Sequence, residues 1–170
     1  MNRVGPHTGL QVRDLERSLD FYHGLLGLPI LARRTITEPY IGELVGYHGV
    51  EIRSAFLDLG IANYTLELLE YRGVPRQPVD PQTANPGTAH TCFVVPDLEA
   101  LHTRLVEAGT PSMSPTPVKP THGPNAGRSV VYMADPDGIR IEFIDGGARG
   151  GTQPLRNEAG RVGGVTSRRR

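Results

Sequence analysis

Two histidines occupy equivalent positions in a sequence repeat. Residues 7–16, HTGLQVRDLE, and residues 90–99, HTCFVVPDLE, are identical at six of their ten positions. In each copy a histidine opens an alternating run that ends at Asp-Leu-Glu, and an amphipathic segment follows. A repeat of about half the chain length indicates two similar structural units packed together. Two imidazoles placed alike in two such units predict a site where the units meet.

Two glutamates are also equivalent, one near the end of each unit. The segments YTLELLEY (64–71) and IRIEFID (139–145) align Glu67 with Glu142. Alternation along a strand puts the flanking apolar side chains beneath a helix, so both glutamates, like His7 and His90, point to the opposite face. An ionised carboxylate among apolar neighbours is costly unless it is paired or binds a metal. Two imidazoles and two carboxylates predict a divalent-metal site with positions open for water or substrate.

The first unit is predicted to be β-α-β-β-β. Asp14 is a suitable N-cap for a helix that ends at Gly27, and apolar residues recur at helical spacing between them. The stretch 37–50 holds proline, several glycines and mixed polar groups, and is expected to be mostly loop. The strands are expected at 7–12, 29–35, 51–59 and 63–71.

The second unit repeats this plan after a proline-rich linker. A helix is expected between Asp97 and Gly109, followed by a proline- and serine-rich stretch, 111–127, and a tight turn at Asp135-Pro-Asp-Gly138. The strands are expected at 89–95, 128–134 and 139–145. The predicted domain therefore spans 1–146, with module 1 at about 5–71, the linker at 72–87, module 2 at about 88–145, and a flexible arginine-rich tail at 147–170.

The charge distribution argues against nucleic acid as the main partner. Residues 1–145 carry 12 basic and 17 acidic side chains, whereas 146–170 carry six arginines and one acid. No apolar run approaches the length of a membrane span, and the N-terminus lacks a secretory pattern. A single cysteine, Cys92, fits a reducing compartment. We therefore expect a cytoplasmic protein that acts on a small molecule.

Five motifs, in this order and spacing, resemble the vicinal oxygen chelate (VOC) superfamily over residues 5–145. That superfamily includes glyoxalase I, methylmalonyl-CoA epimerase, extradiol ring-cleaving dioxygenases and bleomycin- or fosfomycin-resistance proteins. The motifs are His7 with Val12-Arg-Asp-Leu15, Phe21-Tyr22 with Leu25-Leu-Gly-Leu28, Leu66-Glu-Leu68, His90 with Val95-Pro-Asp-Leu98, and Asp135-Pro-Asp-Gly138 with Ile141-Glu142. The resemblance implies an α+β fold in which two βαβββ modules form an incomplete eight-stranded barrel around a metal site. It also implies the metal ligands, which are His7, Glu67, His90 and Glu142.

The ligand count implied by the resemblance favours one branch of the superfamily. Ring-cleaving dioxygenases use two histidines and one glutamate on Fe(II), without a ligand at the position of Glu67, whereas glyoxalases and epimerases fill four positions. Glu67 therefore favours a lyase or isomerase that uses Zn, Ni, Co, Mn or Fe to stabilise an enolate or oxyanion of an oxygen-chelating substrate. The expected base is a displaced ligand, Glu67 or Glu142, or the loop residue Glu43. An Fe(II) dioxygenase and a metal-free drug-binding or resistance protein remain alternatives.

Several other titratable residues are weaker candidates. Glu70, three residues after Glu67, is an alternative ligand, although alternation puts it on the other face. Cys92 is expected to face the cavity without a group that activates it. We expect His23 and His102 to be exposed on helices. The other candidates lie in or beside the long loops and are expected to be solvated; they are His48, Glu51 and His122.

The sequence also bears on how the two modules assemble. Relatives of the superfamily pair their modules either within one chain or between two chains, and the linker is long enough for both routes. Open strand edges at the seam between modules favour association. We therefore predict a homodimer.

Overall fold

The computed structural model describes residues 5–147. Module 1 comprises β1 (His7–Gln11), α1 (Leu15–Leu19) continued by a π-helical segment (Asp20–Leu25), β2 (Ile30–Ile36), α2 (Pro39–Val45), β3 (Glu51–Ile61) and β4 (Tyr64–Arg72). Module 2 comprises β5 (His90–Val95), α3 (Leu98–Glu107), β6 (Val130–Ala134) and β7 (Arg140–Asp145). The predicted tail lies outside the described residues from position 148 onward.

The strands form two separate sheets with matching registers. Their orders are β1-β4-β3-β2 and β5-β7-β6. In each module the first strand pairs in parallel with the last, and Gly9 lies opposite Glu67 as Cys92 lies opposite Glu142. Since His7 and His90 lie two residues before Gly9 and Cys92, both modules place a histidine and a glutamate in the same relation. The α+β fold with two repeated modules is thereby confirmed.

The described residues contain seven strands, one fewer than the eight expected. The missing strand is the module 2 counterpart of β2. Residues 111–127 make only two isolated bridges there, Ser112 with Met133 and Val118 with Val130. Five prolines interrupt this stretch, and proline cannot donate a hydrogen bond to a neighbouring strand.

The prediction that residues 37–50 are mostly loop was wrong, because α2 occupies half of the stretch. Pro39 stands at the start of this helix, and Gly46 ends it in the left-handed region at φ 78°. Ile41 packs with Val50 and Ile52 in a small apolar cluster. So short a helix depends on such tertiary packing rather than on its own propensity, which is why its sequence gave little signal.

The two predicted helix starts are confirmed. The side chain of Asp14 accepts a hydrogen bond from the backbone N–H of Arg17, and Asp97 accepts one from Ala100. Each cap satisfies a backbone donor that the first helical turn leaves unpaired. The caps fix where α1 and α3 begin, immediately after the strands that carry His7 and His90.

One apolar core joins the helix sides of both modules. It includes Leu15 and Leu19 of α1, Leu66 and Leu68 of β4, Leu98, Leu101 and Leu105 of α3, and Ile141 and Phe143 of β7. The Tyr22 hydroxyl also crosses between modules and donates to Asp135 Oδ2 at 3.0 Å. The modules join on the sides of the sheets that carry α1 and α3, so the opposite faces of the sheets lie outside this core. No helix within residues 5–147 has the length and apolar character needed to cross a membrane.

Candidate metal centre

His7 and Glu67 form the first of two equivalent pairs. His7 Nε2 lies 3.2 Å from Glu67 Oε2, and the side chains are 38% and 12% exposed. His7 Nδ1 lies 3.1 Å from the carbonyl oxygen of Gly5, which can only accept a hydrogen bond. The Nδ1 atom must therefore carry a proton, and in the neutral ring Nε2 presents its lone pair to the carboxylate. Two facing acceptors need a shared proton or a cation between them.

His90 and Glu142 form the second pair with similar geometry. His90 Nε2 lies 3.3 Å from Glu142 Oε2, and the side chains are 40% and 15% exposed. The Tyr132 ring packs edge-on against His90 with centroids 5.2 Å apart. Phe56 has the same relation to His7 at 5.8 Å. The register agrees, because Phe56 lies opposite Glu67 and Tyr132 lies opposite Glu142.

The two pairs differ in what holds the carboxylate. The pKa of Cys92 is raised to about 11. Burial is the main cause, and Glu142 adds to it through its charge and a side-chain hydrogen bond. The pKa of Tyr132 is also raised above its ordinary value. Burial is the largest cause, the charge of Glu142 is the second, and a hydrogen bond to Glu142 contributes. Both groups are thus protonated donors at neutral pH. The Tyr132 hydroxyl also lies 3.4 Å from His90 Nε2. In module 1 the equivalent positions are Gly9 and Phe56, so Glu67 lacks the thiol and hydroxyl neighbours that Glu142 has.

The two pairs do not merge into one cluster. Within residues 5–147 of a single chain, no three His, Cys, Asp or Glu side chains lie close enough together to hold one ion. A surface cleft of about 150 Å³ lies instead at the β2 edge and is lined by Leu15, Arg33, Arg34, Thr35 and Arg53, without any of the four predicted ligands. The structure therefore brings the predicted ligands together two by two.

The two alternative glutamates lie away from both pairs. Glu70 is buried on the helix side of the sheet, where it accepts a hydrogen bond from Leu15 N at 3.3 Å and pairs with Arg53 at 3.2 Å. This position agrees with the face expected for it and ties α1 to the sheet. Glu43 lies on α2 and is exposed. Neither residue contacts His7 or His90.

One expectation for the other histidines was wrong. His102 is buried, not exposed, and its Nε2 lies 3.1 Å from Ser112 Oγ. The irregular stretch 111–127 covers that face of α3, and sequence periodicity could not show this cover. His23, His48 and His122 are exposed, as expected. Glu51 pairs with Arg72 at 3.1 Å and plays no part in either His–Glu pair.

Sequence reasoning missed the aromatic partners, Phe56 and Tyr132, and the arginine Arg34 beside Phe56. Strand alternation alone could not find them, because their positions depend on how β3 pairs with β4 and β6 with β7. The hairpin turns offered a signal. The turn at Asp135–Gly138 places β6 beside β7, and with Ala134 opposite Arg140 the strand register puts Tyr132 opposite Glu142.

Comparison with known proteins gives consistent matches. The family model described as Glyoxalase/Bleomycin resistance protein/Dioxygenase superfamily matches residues 6–143. A lactoylglutathione lyase of Pseudomonas aeruginosa is 30% identical over 155 residues, which cover 85% of this chain and 83% of that protein. A lactoylglutathione lyase of Neisseria meningitidis serogroup A is 32% identical over 140 residues, covering 81% and 87%. The crystal structure of a glyoxalase family protein from Bacillus cereus has a TM-score of 0.68 at 17% identity and covers 82% of this chain and 91% of its own.

Proposed function

Because the chain belongs to the Glyoxalase/Bleomycin resistance protein/Dioxygenase superfamily, we propose that it is a metal-dependent enzyme of the glyoxalase type. Its reaction is a lyase or isomerase reaction on a small substrate that offers two neighbouring oxygens to the metal. The relatives named lactoylglutathione lyase support this branch. A histidine and a glutamate in each module disfavour both the three-ligand dioxygenase and a binding protein that needs no metal.

The observation that carries the proposal is the geometry of the two pairs. Their N–O separations are 3.2 Å and 3.3 Å. Two atoms bound about 2.1 Å from one ion, at right angles to each other, lie about 3 Å apart. The Gly5 carbonyl also sets the tautomer of His7 that leaves Nε2 available for a metal. The residues present therefore fit a divalent ion with mixed nitrogen and oxygen ligands.

We propose that the complete site forms between two chains of a homodimer. Each module supplies one pair, and the pairs remain apart within one chain. The modules are joined by the shared core on the sides that carry α1 and α3. The opposite faces, which carry the two His–Glu pairs, lie outside that core, and α2 covers only the part of the module 1 face near Ile52 and Leu69. We propose that a second copy covers the rest. Module 1 of one chain with module 2 of its partner supplies all four ligands, and a symmetric dimer contains two such sites.

The bound metal would polarise the two substrate oxygens and stabilise the negative charge that develops on them. The chain's own contribution is the proton transfer. We assign it to Glu67, whose Oε2 removes the proton from the carbon beside the carbonyl and then returns it to the product. A ligand that also acts as base must leave its place during each turnover. Glu67 meets this requirement better, because Glu142 has the Cys92 thiol and the Tyr132 hydroxyl as neighbours, whereas Gly9 and Phe56 at the matching positions offer Glu67 no donor.

The experiment compares four proteins: the wild type, Glu67→Gln, Glu142→Gln and Glu107→Gln. Each is analysed for bound metal and assayed for conversion of the glutathione–methylglyoxal thiohemiacetal to the thioester, with catechol cleavage as a second assay. We expect metal and thioester formation in the wild type and in Glu107→Gln, an exposed control on α3. Glu67→Gln should lose turnover more completely than metal, whereas Glu142→Gln should keep measurable turnover.

Two outcomes would reject this function. Catechol cleavage without thioester formation would identify the dioxygenase alternative. A wild-type protein that binds small molecules but keeps no metal after loading would identify the metal-free alternative. A further variant, His90→Ala, should lower metal content while far-UV circular dichroism stays near wild type, because this exposed side chain does not support the sheet.

A further inference from the structure

The helix α2 has a second apolar side that faces solvent. Ile41 and Val45 pack against the sheet in the small cluster around Ile52. The other side carries an exposed stripe at the spacing i, i+3, i+4 and i+7, called here the α2 stripe, which consists of Tyr40, Glu43, Leu44 and Tyr47. Leu44 is 74% exposed. Apolar anchors at this spacing are the contact residues when an amphipathic helix binds another protein surface.

The α2 stripe is turned the same way as the face that carries His7 and Glu67. The cluster under α2 includes Leu69 and Tyr71 of β4. These two residues follow Glu67 at intervals of two, so they share its face of the sheet. Because α2 lies on that face, its outer side points away from the sheet in the same direction. A second copy that covers the His7–Glu67 face therefore also meets the α2 stripe.

The stretch 111–127 is the module 2 counterpart of β2 and α2, because it lies between α3 and β6. Its Val118 forms an antiparallel bridge with Val130, and bridged residues point to the same face. Val130 precedes Tyr132 by two residues and so lies on the face of the His90–Glu142 pair. Val118 is 55% exposed, and Met113 in the same stretch is 47% exposed. The stretch thus presents apolar side chains at the edge of that face.

The two surfaces carry opposite charges. Residues 37–50 contain Glu38 and Glu43 and no lysine or arginine, whereas residues 111–127 contain Lys119 and no acid. Glu43 and Lys119 are both exposed, and within residues 5–147 neither makes an ion pair or a hydrogen bond. Complementary charges across an interface select the partner and fix its orientation. An acidic apolar surface on module 1 therefore matches a basic apolar surface on module 2.

We propose that the α2 stripe of each chain docks on residues 113–119 of a second copy, with Glu43 beside the partner's Lys119. This inference rests on the proposed homodimer and names a contact outside the metal centre. In a symmetric dimer the contact occurs twice, once beside each shared metal centre. Neither surface contains any of the four predicted ligands, so a substitution there changes the strength of the dimer without removing a metal ligand.

The experiment measures the dimer dissociation constant of the zinc-loaded, full-length protein by sedimentation equilibrium over a dilution series. The charge variants are Glu43→Lys, Lys119→Glu and the double variant that carries both. Their control is Glu107→Lys, which makes the same charge change at an exposed position on α3. The apolar part of the contact is tested by Leu44→Ser, with Leu31→Ser as control at another leucine that is 57% exposed.

We expect each single charge reversal, and Leu44→Ser, to raise the dissociation constant roughly tenfold, because each change acts at both contacts of the dimer. The double variant restores opposite charges and should return to within about threefold of the wild type. The two control variants should match the wild type. Zinc content should stay at the wild-type level when each variant is kept concentrated enough to remain dimeric.

A double variant that dimerises as weakly as the single reversals would overturn the inference. Wild-type dissociation constants for both single reversals and for Leu44→Ser would also overturn it, while leaving the homodimer and its metal centre supported. A wild-type protein that binds zinc but stays monomeric at every concentration would reject the shared site, and the inference with it.

Discussion

Replacing Tyr22 with phenylalanine should weaken the junction between the modules. The Tyr22 hydroxyl donates to Asp135 Oδ2 at 3.0 Å in a buried position, while Oδ1 accepts from Asp137 N and Ile139 N at 2.8 Å each. The substitution leaves the ring packing intact and removes only this donor. A hydrogen bond to a charged group contributes about 1.5–3 kcal/mol, so we expect a loss of about 2 kcal/mol. For a chain of this size that corresponds to a melting temperature lower by about 4–8 °C.

The loss should also depend on pH. Burial raises the pKa of Asp135, and hydrogen bonds from Ile139, Tyr22 and Asp137 oppose that rise. A carboxyl whose folded-state pKa exceeds its unfolded value favours folding when it is protonated, and that contribution is lost as the pH rises through the folded-state pKa. Without the Tyr22 hydroxyl the folded-state pKa rises further, so the Tyr22→Phe loss should be larger near about pH 7 than near about pH 4.

Thermal unfolding at both pH values measures this effect, with Tyr71→Phe as control. The Tyr71 hydroxyl makes no hydrogen bond within residues 5–147, so its removal should change the free energy of unfolding by less than about 0.5 kcal/mol. Equal losses for the two variants, or a Tyr22→Phe loss that is the same at both pH values, would refute the reasoning about Asp135.

Three further outcomes are expected. Iodoacetamide should alkylate Cys92 of the metal-free protein slowly near about pH 8, because a thiol pKa of about 11 leaves over a hundredfold less thiolate than an ordinary cysteine has. Glu142→Gln should speed this reaction, and an unchanged rate would count against a contact between Cys92 and Glu142. Tyr132→Phe, which gives module 2 the ring that Phe56 gives module 1, should weaken metal binding about tenfold in a chelator competition, and unaltered affinity would show that its hydroxyl does not support Glu142. Deleting residues 148–170, which hold few apolar side chains, should leave metal content and melting temperature nearly unchanged; a melting temperature lower by more than about 5 °C would show that the segment docks.

The sequence predicted the parts of the fold that depend on local periodicity and on the repeat. Alternation about Glu67 and Glu142 indicated which side chains lie beneath the helices, and Leu66, Leu68, Ile141 and Phe143 are indeed fully buried. The caps at Asp14 and Asp97 follow from side-chain chemistry alone. Such features require only neighbours close in sequence, so one chain without relatives is enough to find them.

Features that depend on distant contacts were not predictable in this way. The helix α2 forms because Ile41 packs on Ile52, and His102 is buried because the stretch at Ser112 crosses α3. The separation of the two His–Glu pairs depends on the way the modules join, through their helix sides, which no local pattern encodes. The asymmetry between the pairs follows from Tyr132 and Phe56, whose positions require the strand register.

That asymmetry has a consequence for the proposed chemistry. The two sequence-equivalent glutamates have different neighbours. Gly9 and Phe56 lie opposite Glu67, whereas Cys92 and Tyr132 lie opposite Glu142. A symmetric site would offer two equivalent bases. Here Glu142 has donor neighbours that Glu67 lacks, and on this difference rests our proposal that Glu67 is the base.

The central claim, a metal site shared by two chains, is tested most directly by mixing two inactive variants. One carries His7→Ala and Glu67→Ala, and the other carries His90→Ala and Glu142→Ala, so each lacks one whole pair. In a shared-site dimer neither variant alone has a complete site, but a mixed dimer joins the two intact modules at one of its two sites. Random reassortment should therefore restore about a quarter of the wild-type metal content and activity. No recovery in mixed dimers whose formation is verified by mass would contradict the account and would put all four ligands in one chain.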